Sequence, residues 1–317
     1  MAKNEVYDYL SLKLRSIFNE MESVPNIHEI RIRVGQPLMI NTASGEFFIS
    51  ASGNLCDIGQ AYIVKDRDIK EIVEYISNYS PYAYEEELRN GYITISKGNR
   101  IGVCGKAVVG NDGVTTIRNI SSLNIRMSKE YIGCSDKYIE LLYENSKLCH
   151  TLIISPPCCG KTTLLRDIIR NISDGYGNRK GMTIGVVDER SETAACYESV
   201  PQNNLGIRTD VMDACPKAYG ILMLIRSMGP KVIAVDEIGA PDEVQAIKYA
   251  MHCGCKMIAT VHGESLEEIR RKPLLEQMIS EQCFERYVVL SNRRRVGKIA
   301  NIYDKDGVMI FTESRNV

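Results

Sequence analysis

Residues 151–163 read Thr-Leu-Ile-Ile-Ser-Pro-Pro-Cys-Cys-Gly-Lys-Thr-Thr, an apolar run followed by a turn and the start of a helix. This order can direct backbone N–H groups inward, and the helix N-terminus adds a partial positive charge. Lys161 can reach the β- and γ-phosphates of a nucleotide, and the Thr162 hydroxyl can bind Mg²⁺. Gly160 lets the backbone approach the phosphates closely. The stretch therefore predicts a loop that binds ATP with Mg²⁺.

The loop departs from the usual phosphate-binding pattern at its start and in its middle. Ser155 stands where the pattern has glycine, and Cys158 and Cys159 replace residues that are often glycine. These departures put the strength of nucleotide binding in question, and a coincidental turn is the alternative interpretation. The predicted nucleotide contacts are Ser155, Pro156, Pro157, Cys158, Cys159, Gly160, Lys161, Thr162 and Thr163.

Two further apolar runs end in acidic residues. Residues 231–237 read Lys-Val-Ile-Ala-Val-Asp-Glu, and residues 183–189 read Thr-Ile-Gly-Val-Val-Asp-Glu. At the carboxyl ends of parallel strands, Asp236 would hold Mg²⁺ through water and Glu237 could polarise the attacking water. Glu189 is the other candidate general base, and the spacing does not decide between the two. The alternative is that these acidic residues simply face solvent. The spacing along the sequence between the phosphate loop and Asp236 disfavours that alternative.

A third run, residues 256–263, ends in the polar sequence Thr-Val-His-Gly. Beside the metal strand, Thr260 or His262 can sense the γ-phosphate. A lone histidine is more often an ordinary surface or core residue, so the prediction for His262 depends on the neighbouring motifs.

Arginine side chains can stabilise the charge on the transferred phosphoryl group, often from a neighbouring subunit. For each arginine alone, a surface salt bridge is the more ordinary role. The candidates are Arg190, Arg208, Arg226, Arg118 and Arg126.

Composition excludes several classes of protein. The 317 residues suffice for two domains, and 44% hydrophobic and 25% charged residues are ordinary for a globular protein. A formal net charge of −1 gives no overall field to attract nucleic acid or anionic lipid. The basic run Arg293–Arg295 is interpreted as a solvated turn. The sequence shows no signal peptide and no apolar run long enough to span a membrane, which predicts a cytoplasmic protein with free thiols.

The pattern of elements changes near residue 133. We expect an α+β domain over residues 1–133, and over 134–317 an α/β domain with a parallel sheet covered on both faces. The predicted helices are 5–22, 66–79, 136–145, 162–172, 216–228 and 241–251. The predicted strands are 29–34, 37–40, 46–49, 92–95, 100–109, 122–127, 151–154, 182–187, 231–235 and 256–260.

The order of these motifs resembles the secretion-ATPase superfamily of type II and type IV secretion and pilus assembly. The phosphate loop, acidic box, metal-binding strand and histidine box of that superfamily match 161–163, 188–192, 235–239 and 259–263. A closer resemblance is to the stage III sporulation protein AA family of endospore-forming bacteria. It rests on residues 29–33, 100–105, 120–126, 202–210 and 226–230.

The resemblance implies a RecA-like P-loop NTPase core with a smaller N-terminal domain. Glu189 would be the acidic-box glutamate and His262 the histidine-box residue. The resemblance further implies a mother-cell ATPase, a homo-oligomeric and hexameric ring, and membrane-embedded channel proteins of a sporulation complex as partners. From the composition, we expect neither membrane insertion nor nucleic-acid binding. Two alternatives stay open: a nucleic-acid-stimulated RecA-type ATPase, and a nucleotide-binding scaffold with little hydrolysis.

Overall fold

The computed structural model describes residues 5–21, 26–77, 85–89, 91–110, 113–291 and 296–313. The chain divides into two compact units, Met1–Lys129 and Glu130–Val317. The sequence pattern predicts this boundary after residue 133. The segment that follows residue 129 joins the second unit because the Gly133 N–H donates to the Asp167 carboxylate at 2.9 Å.

The first unit is built on an antiparallel sheet. Its strands are β1 (Ile27–Arg33), β2 (Met39–Thr42), β3 (Gly45–Ile49), β4 (Leu55–Cys56), β5 (Tyr92–Ile95), β6 (Asn99–Gly110) and β7 (Gly113–Arg126). Over the described residues the order is β4-β3-β2-β1-β7-β6-β5. Along β1, Ile30 and Ile32 are fully buried while Arg31 between them is partly exposed. This alternation confirms that β1 has one face in a core and one face toward solvent.

In the part of the first unit that the structure describes, the sheet is accompanied by the helices α1 (Leu12–Asn19), α2 (Asp66–Ile76) and α3 (Glu85–Arg89). The prediction of one helix over residues 5–22 is wrong, because a 3₁₀ helix at Glu5–Tyr9 precedes α1. Ser11 separates the two by capping α1, its hydroxyl accepting from the Leu14 N–H at 3.3 Å. Ile17 of α1 and Ile72 of α2 are buried in the same hydrophobic core as the apolar face of the sheet.

The second unit contains the sheet that carries the predicted motifs. Its strands are β10 (Thr151–Ser155), β11 (Ile184–Asp188), β12 (Thr209–Asp213), β13 (Val232–Val235), β14 (Lys256–His262), β15 (Arg286–Leu290), β16 (Ile299–Asp304) and β17 (Met309–Thr312). Across the described residues the order is β12-β11-β13-β14-β10-β15-β16-β17. Strands β12, β11, β13, β14, β10 and β15, which are neighbours in this order, run parallel to one another. Strand β16 pairs antiparallel with β15, and β17 pairs antiparallel with β16. A separate hairpin consists of β8 (Tyr143–Glu144) and β9 (Lys147–Leu148).

Helices cover both faces of the parallel sheet: α4 (Lys161–Asp174), α5 (Lys217–Ser227), α6 (Pro241–His252), α7 (Leu266–Ile269) and α8 (Pro273–Ser280). Neighbouring residues of one strand enter different cores, with Ile153 packed beside α4 and Ile154 beside α5 and α6. This arrangement confirms the α/β prediction. The predicted helix at 136–145 is wrong, because a short 3₁₀ turn at Ile139–Leu142 leads directly into β8. The predicted strands do not include β12, β15, β16 or β17.

Candidate active site

The loop between β10 and α4 has a conformation that requires glycine at its last position. Gly160 has φ +86°, and a Cβ there would lie 2.4 Å from the Gly297 nitrogen and 2.7 Å from Val296 Cγ1. The Gly297 N–H donates to the Cys159 carbonyl at 3.1 Å. The loop is therefore supported from outside by residues 296–297, and no larger side chain fits at Gly160 without moving them.

Lys161, the first residue of α4, is buried with 6% of its side chain exposed. Its ammonium Nζ lies 2.9 Å from Glu237 Oε1 and 3.3 Å from Asp236 Oδ1. The Thr162 hydroxyl donates to Asp236 Oδ2 at 2.8 Å. A buried lysine needs ionic partners, and here they come from the predicted metal strand. The structure thus places the loop's cation and hydroxyl directly against the acidic end of β13.

Thr260 of β14 holds this acidic end in place. Its hydroxyl donates to Asp236 and accepts the Glu237 N–H at 2.9 Å. Glu237 has φ +50°, an uncommon conformation for a residue with a side chain. The hydroxyl contact fixes the turn after β13, so that both carboxylates face Lys161.

Glu237 is surrounded by cationic or proton-donating groups. His262 Nε2 lies 2.8 Å from Glu237 Oε1, and an Arg190 guanidinium nitrogen lies 2.9 Å from Oε2. Partial burial opposes ionisation of Glu237, but its hydrogen bond to Lys161 and the charges of Lys161, His262 and Arg190 outweigh that effect. The pKa of Glu237 therefore lies below its usual value. A carboxylate held this way stays ionised and is a weak proton acceptor.

Glu189, which follows β11, is held by a lysine that the sequence analysis missed. Lys217, the first residue of α5, donates to Glu189 and to Glu243 of α6, the latter at 3.1 Å. Burial lowers the pKa of Lys217, but the hydrogen bonds to these two carboxylates more than compensate, so the pKa is raised. Glu189 lines the same crevice as Asp236 and Glu237. The available signals were Lys217 beginning a predicted helix and Glu243 in the first turn of another.

Asp188, at the end of β11, is buried and hydrogen-bonded to the backbone of the following segment. It is only 2% exposed, and its carboxylate accepts the N–H groups of Glu192 at 2.8 Å and Ala194 at 2.7 Å. Burial raises the pKa of Asp188, and these backbone hydrogen bonds offset only part of the increase. Asp188 therefore fixes the segment that follows Glu189.

Arg208 and Arg226 do not lie at the site in their own chain, in contrast to Arg190. Arg208 donates to the Ser173 carbonyl at 2.9 Å, at the C-terminal end of the 14-residue helix α4. The loop is at the other end, about 20 Å away. Arg226 is exposed in the last turn of α5, the opposite end from Lys217. The catalytic role of Arg208 and Arg226 stays a prediction, and from these positions it would have to be exercised in an adjoining subunit.

Two remaining arginine candidates, Arg118 and Arg126, belong to β7 of the first unit. The predicted basic turn Arg293–Arg295 lies outside the described residues.

The donor set at Thr162 and Asp236 suits Mg²⁺, which prefers oxygen ligands and commonly uses one or two protein groups together with phosphate oxygens. Among the residues that the structure describes, no group of three or more His, Cys, Asp or Glu side chains is placed to hold a metal alone. None of the helices in the described ranges combines the length and apolar character needed to cross a bilayer.

Two solved structures share the fold of this chain. The pilus retraction motor PilT with bound ADP aligns with a TM-score of 0.57 at 15% identity, covering 91% of this chain and 80% of that one. The Legionella pneumophila ATPase DotB aligns with a TM-score of 0.53 at 17% identity, covering 89% of this chain and 78% of that one. The second unit is therefore a RecA-like P-loop core, as the resemblance implied.

Sequence relatives define the family. Stage III sporulation protein AA of Bacillus subtilis (strain 168) is 40% identical over 306 residues, which cover 96% of each chain. The uncharacterized protein ycf45 of Porphyra purpurea is 27% identical over 172 residues, covering 52% of this chain and 29% of that protein. The family model described as sporulation stage III, protein AA matches residues 1–310. The chain belongs to the sporulation stage III, protein AA family.

Proposed function

We propose that this protein is a Mg²⁺-dependent ATP hydrolase. One observation carries the proposal: the buried Lys161 ammonium is shared between Asp236 and Glu237, while Thr162 contacts Asp236. In a P-loop, the lysine and the following hydroxyl are the groups that meet the phosphates and the metal ion. Asp236 and Glu237 hold them ready, so that ATP would replace a carboxylate as the main partner of Lys161.

The contacts favour different roles for the two glutamates. Glu237 has a lowered pKa and three cationic or proton-donating neighbours, which suits charge neutralisation better than proton abstraction. Glu189 is more exposed, with 37% of its side chain accessible, and it lines the same crevice. We therefore assign Glu189 as the base that accepts a proton from the attacking water.

Lys161 would neutralise charge on the β- and γ-phosphates, and His262 would report the state of Glu237 through their contact. When bound at Thr162 and Asp236, Mg²⁺ would supply further neutralisation of the phosphate oxygens. The arginine needed for the transferred group would be Arg190 or an arginine of an adjoining subunit.

The likeness to DotB, an ATPase, and to PilT, a pilus retraction motor, supports a motor function. We propose a homo-oligomeric ring, hexameric in number, in the mother-cell cytoplasm. It would energise assembly of, or transport through, a channel between mother cell and forespore, with membrane-embedded channel proteins as its partners.

The test is phosphate release from Mg·ATP by the full chain, compared with Lys161→Ala and Glu189→Gln. Lys305→Ala, in an exposed turn, is the matched control for removing a lysine. Loss of the general base costs about 10²–10⁴-fold in turnover, so Glu189→Gln should retain nucleotide binding but lose most activity. Lys161→Ala should lose both, and Lys305→Ala neither. Equal background rates for all four proteins would favour the scaffold over the motor.

Two further measurements separate the remaining alternatives. Light scattering with and without Mg·ATP gives the mass of the assembly, and a mass equal to one chain under both conditions would contradict the ring. Single-stranded DNA added at moderate salt should leave turnover unchanged; clear stimulation would favour a nucleic-acid-dependent ATPase instead.

A further inference from the structure

Lys217 is a buried cation shared by two carboxylates from different elements. The residue is 8% exposed, and its ammonium donates both to Glu189 after β11 and to Glu243 in the first turn of α6. Removing an ammonium from water is costly unless charged partners compensate. The two carboxylates provide this compensation, so Lys217 connects three elements of the second unit at one point.

Glu243 extends this connection to the segment that follows the metal strand. Its second carboxylate oxygen accepts the N–H groups of Gly239 at 2.7 Å and Ala240 at 3.0 Å. These residues come shortly after Asp236 and Glu237. A continuous chain of hydrogen bonds therefore runs from Glu189 through Lys217 and Glu243 to the backbone beyond the metal strand.

The position of Glu189 in the crevice explains why a lysine is useful there. Glu189 shares the crevice with Asp236 and Glu237, and 37% of its side chain is exposed. A base must lie within hydrogen-bond reach of the proton that it accepts, so its side chain has to be held in place. The contact with the buried Lys217 ammonium restricts the rotamers of the Glu189 side chain.

We propose that Lys217 is a positioning residue that holds the Glu189 carboxylate oriented for ATP hydrolysis. The proposal rests on the function proposed above and deepens it, since it concerns how the base is prepared. A purely structural tie between helices would affect stability alone. A positioning role must also affect turnover, and must do so through Glu189.

The first experiment compares ATP turnover of the wild type, Lys217→Met and Lys217→Arg over a range of Mg·ATP concentrations. Removing a residue that orients a reacting group typically costs about 10- to 100-fold in activity. We expect a loss of that size in kcat for Lys217→Met, with KM for Mg·ATP nearly unchanged. Lys217→Arg should recover most of the activity.

Lys256→Met is the matched control. Lys256 is partly buried and pairs with Glu285 at 2.9 Å. It is the first residue of β14 and therefore lies at the amino ends of the parallel strands, whereas the site lies at their carboxyl ends. Its replacement should leave kcat and KM unchanged. An unchanged kcat in folded Lys217→Met would overturn the proposal while leaving ATP hydrolysis intact.

A double-mutant cycle tests whether Lys217 acts through Glu189. In the Glu189→Gln background, Lys217→Met should cause little further loss, because residues that act as a unit are non-additive. Full additivity would overturn the proposal. If Lys217→Met fails to fold, Lys217→Gln, which keeps a hydrogen-bond donor in the site, takes its place in both experiments with the same expected results.

A readout independent of turnover distinguishes failure of this proposal from failure of the proposed function. In protein with ¹³C-labelled glutamate, the Glu189 carboxyl signal is assigned by its loss in Glu189→Gln. Its chemical shift at constant pH should differ between Lys217→Met and the wild type, because the carboxylate loses its ammonium partner. An identical chemical shift would refute the contact even in an active enzyme. An inactive wild type would refute the ATPase proposal, and a changed chemical shift would then still establish the contact.

Discussion

Replacing Gly160 with alanine tests the loop geometry on which the site depends. The backbone of Gly160 has φ +86°, and the added Cβ would lie 2.4 Å from the Gly297 nitrogen. Gly254, between α6 and β14, provides a matched control, because it has φ +87° but no atom within 4 Å of an added Cβ. Both substitutions carry the free-energy cost of the left-handed backbone conformation, but only Gly160→Ala adds the steric clash of the new Cβ. The difference in unfolding free energy between the two variants therefore measures the clash.

The two substitutions differ in expected magnitude. A left-handed conformation costs a residue with a side chain about 1–2 kcal/mol, and Gly254→Ala should lose only this amount of unfolding free energy. Gly160→Ala must also displace Gly297, whose N–H then loses the Cys159 carbonyl. An unsatisfied buried donor costs about 1–3 kcal/mol more. Gly160→Ala should therefore be the more destabilising of the two by about 1–3 kcal/mol.

Urea unfolding of the full chain measures both differences, and a fluorescent ATP analogue measures nucleotide affinity. We expect weakened nucleotide binding only in Gly160→Ala, since Gly254 lies far from the loop in the sequence and at the opposite edge of the sheet. If the two variants lost the same stability and bound nucleotide equally well, the packing of the loop against residues 296–297 would be refuted.

Three further predictions concern the carboxylates and their partners. Thr162→Val should raise the Mg²⁺ concentration needed for half-maximal turnover, in a magnesium titration; an unchanged requirement would exclude the hydroxyl as a ligand. The pKa of Glu237 is lowered from 4.5 by Lys161, His262 and Arg190 despite burial, so its stabilisation is complete above pH 4.5 and is lost as pH falls through the folded-state pKa. The stability difference between wild type and Glu237→Gln should accordingly shrink below pH 4.5 in urea unfolding, and a constant difference would contradict these contacts. Asp188→Ala should lower the unfolding free energy by about 2–4 kcal/mol because two N–H groups lose their acceptor. A difference near zero in urea unfolding would contradict the hydrogen bonds of Asp188 to the segment that follows Glu189.

Local patterns predicted several of the continuously buried strands, although β15, which is also buried at every position, was missed. The run at 232–235 is buried at every position, and its apolar sequence indicated a central parallel strand. Thr209–Asp213 lies at the edge of the sheet and is only partly buried, so its sequence lacks that signal. At 136–145 the buried residues Ile139 and Leu142 have a spacing of three, which a 3₁₀ turn satisfies as well as an α-helix.

The candidate site was predictable where each residue follows a strand end. Lys161, Asp236 and His262 come together because the carboxyl ends of parallel strands meet at one edge. Lys217 and Glu243 were missed because their contacts join three elements far apart in sequence, and no local pattern specifies such a meeting. The arginines were predicted from their charge alone, and charge does not specify position. Arg208, for example, hydrogen-bonds to the C-terminal end of α4 rather than lying near the loop.

The central claim is that the loop at 155–162 and the acidic end of β13 form one ATP site. Its most direct test is calorimetric titration of Mg·ATP into Glu189→Gln protein, in which turnover is suppressed. We expect one Mg·ATP site per chain in this variant and no binding in the double variant that also carries Lys161→Ala. If the double variant bound Mg·ATP with the same stoichiometry and affinity, the loop and the acidic end of β13 would not form the ATP site.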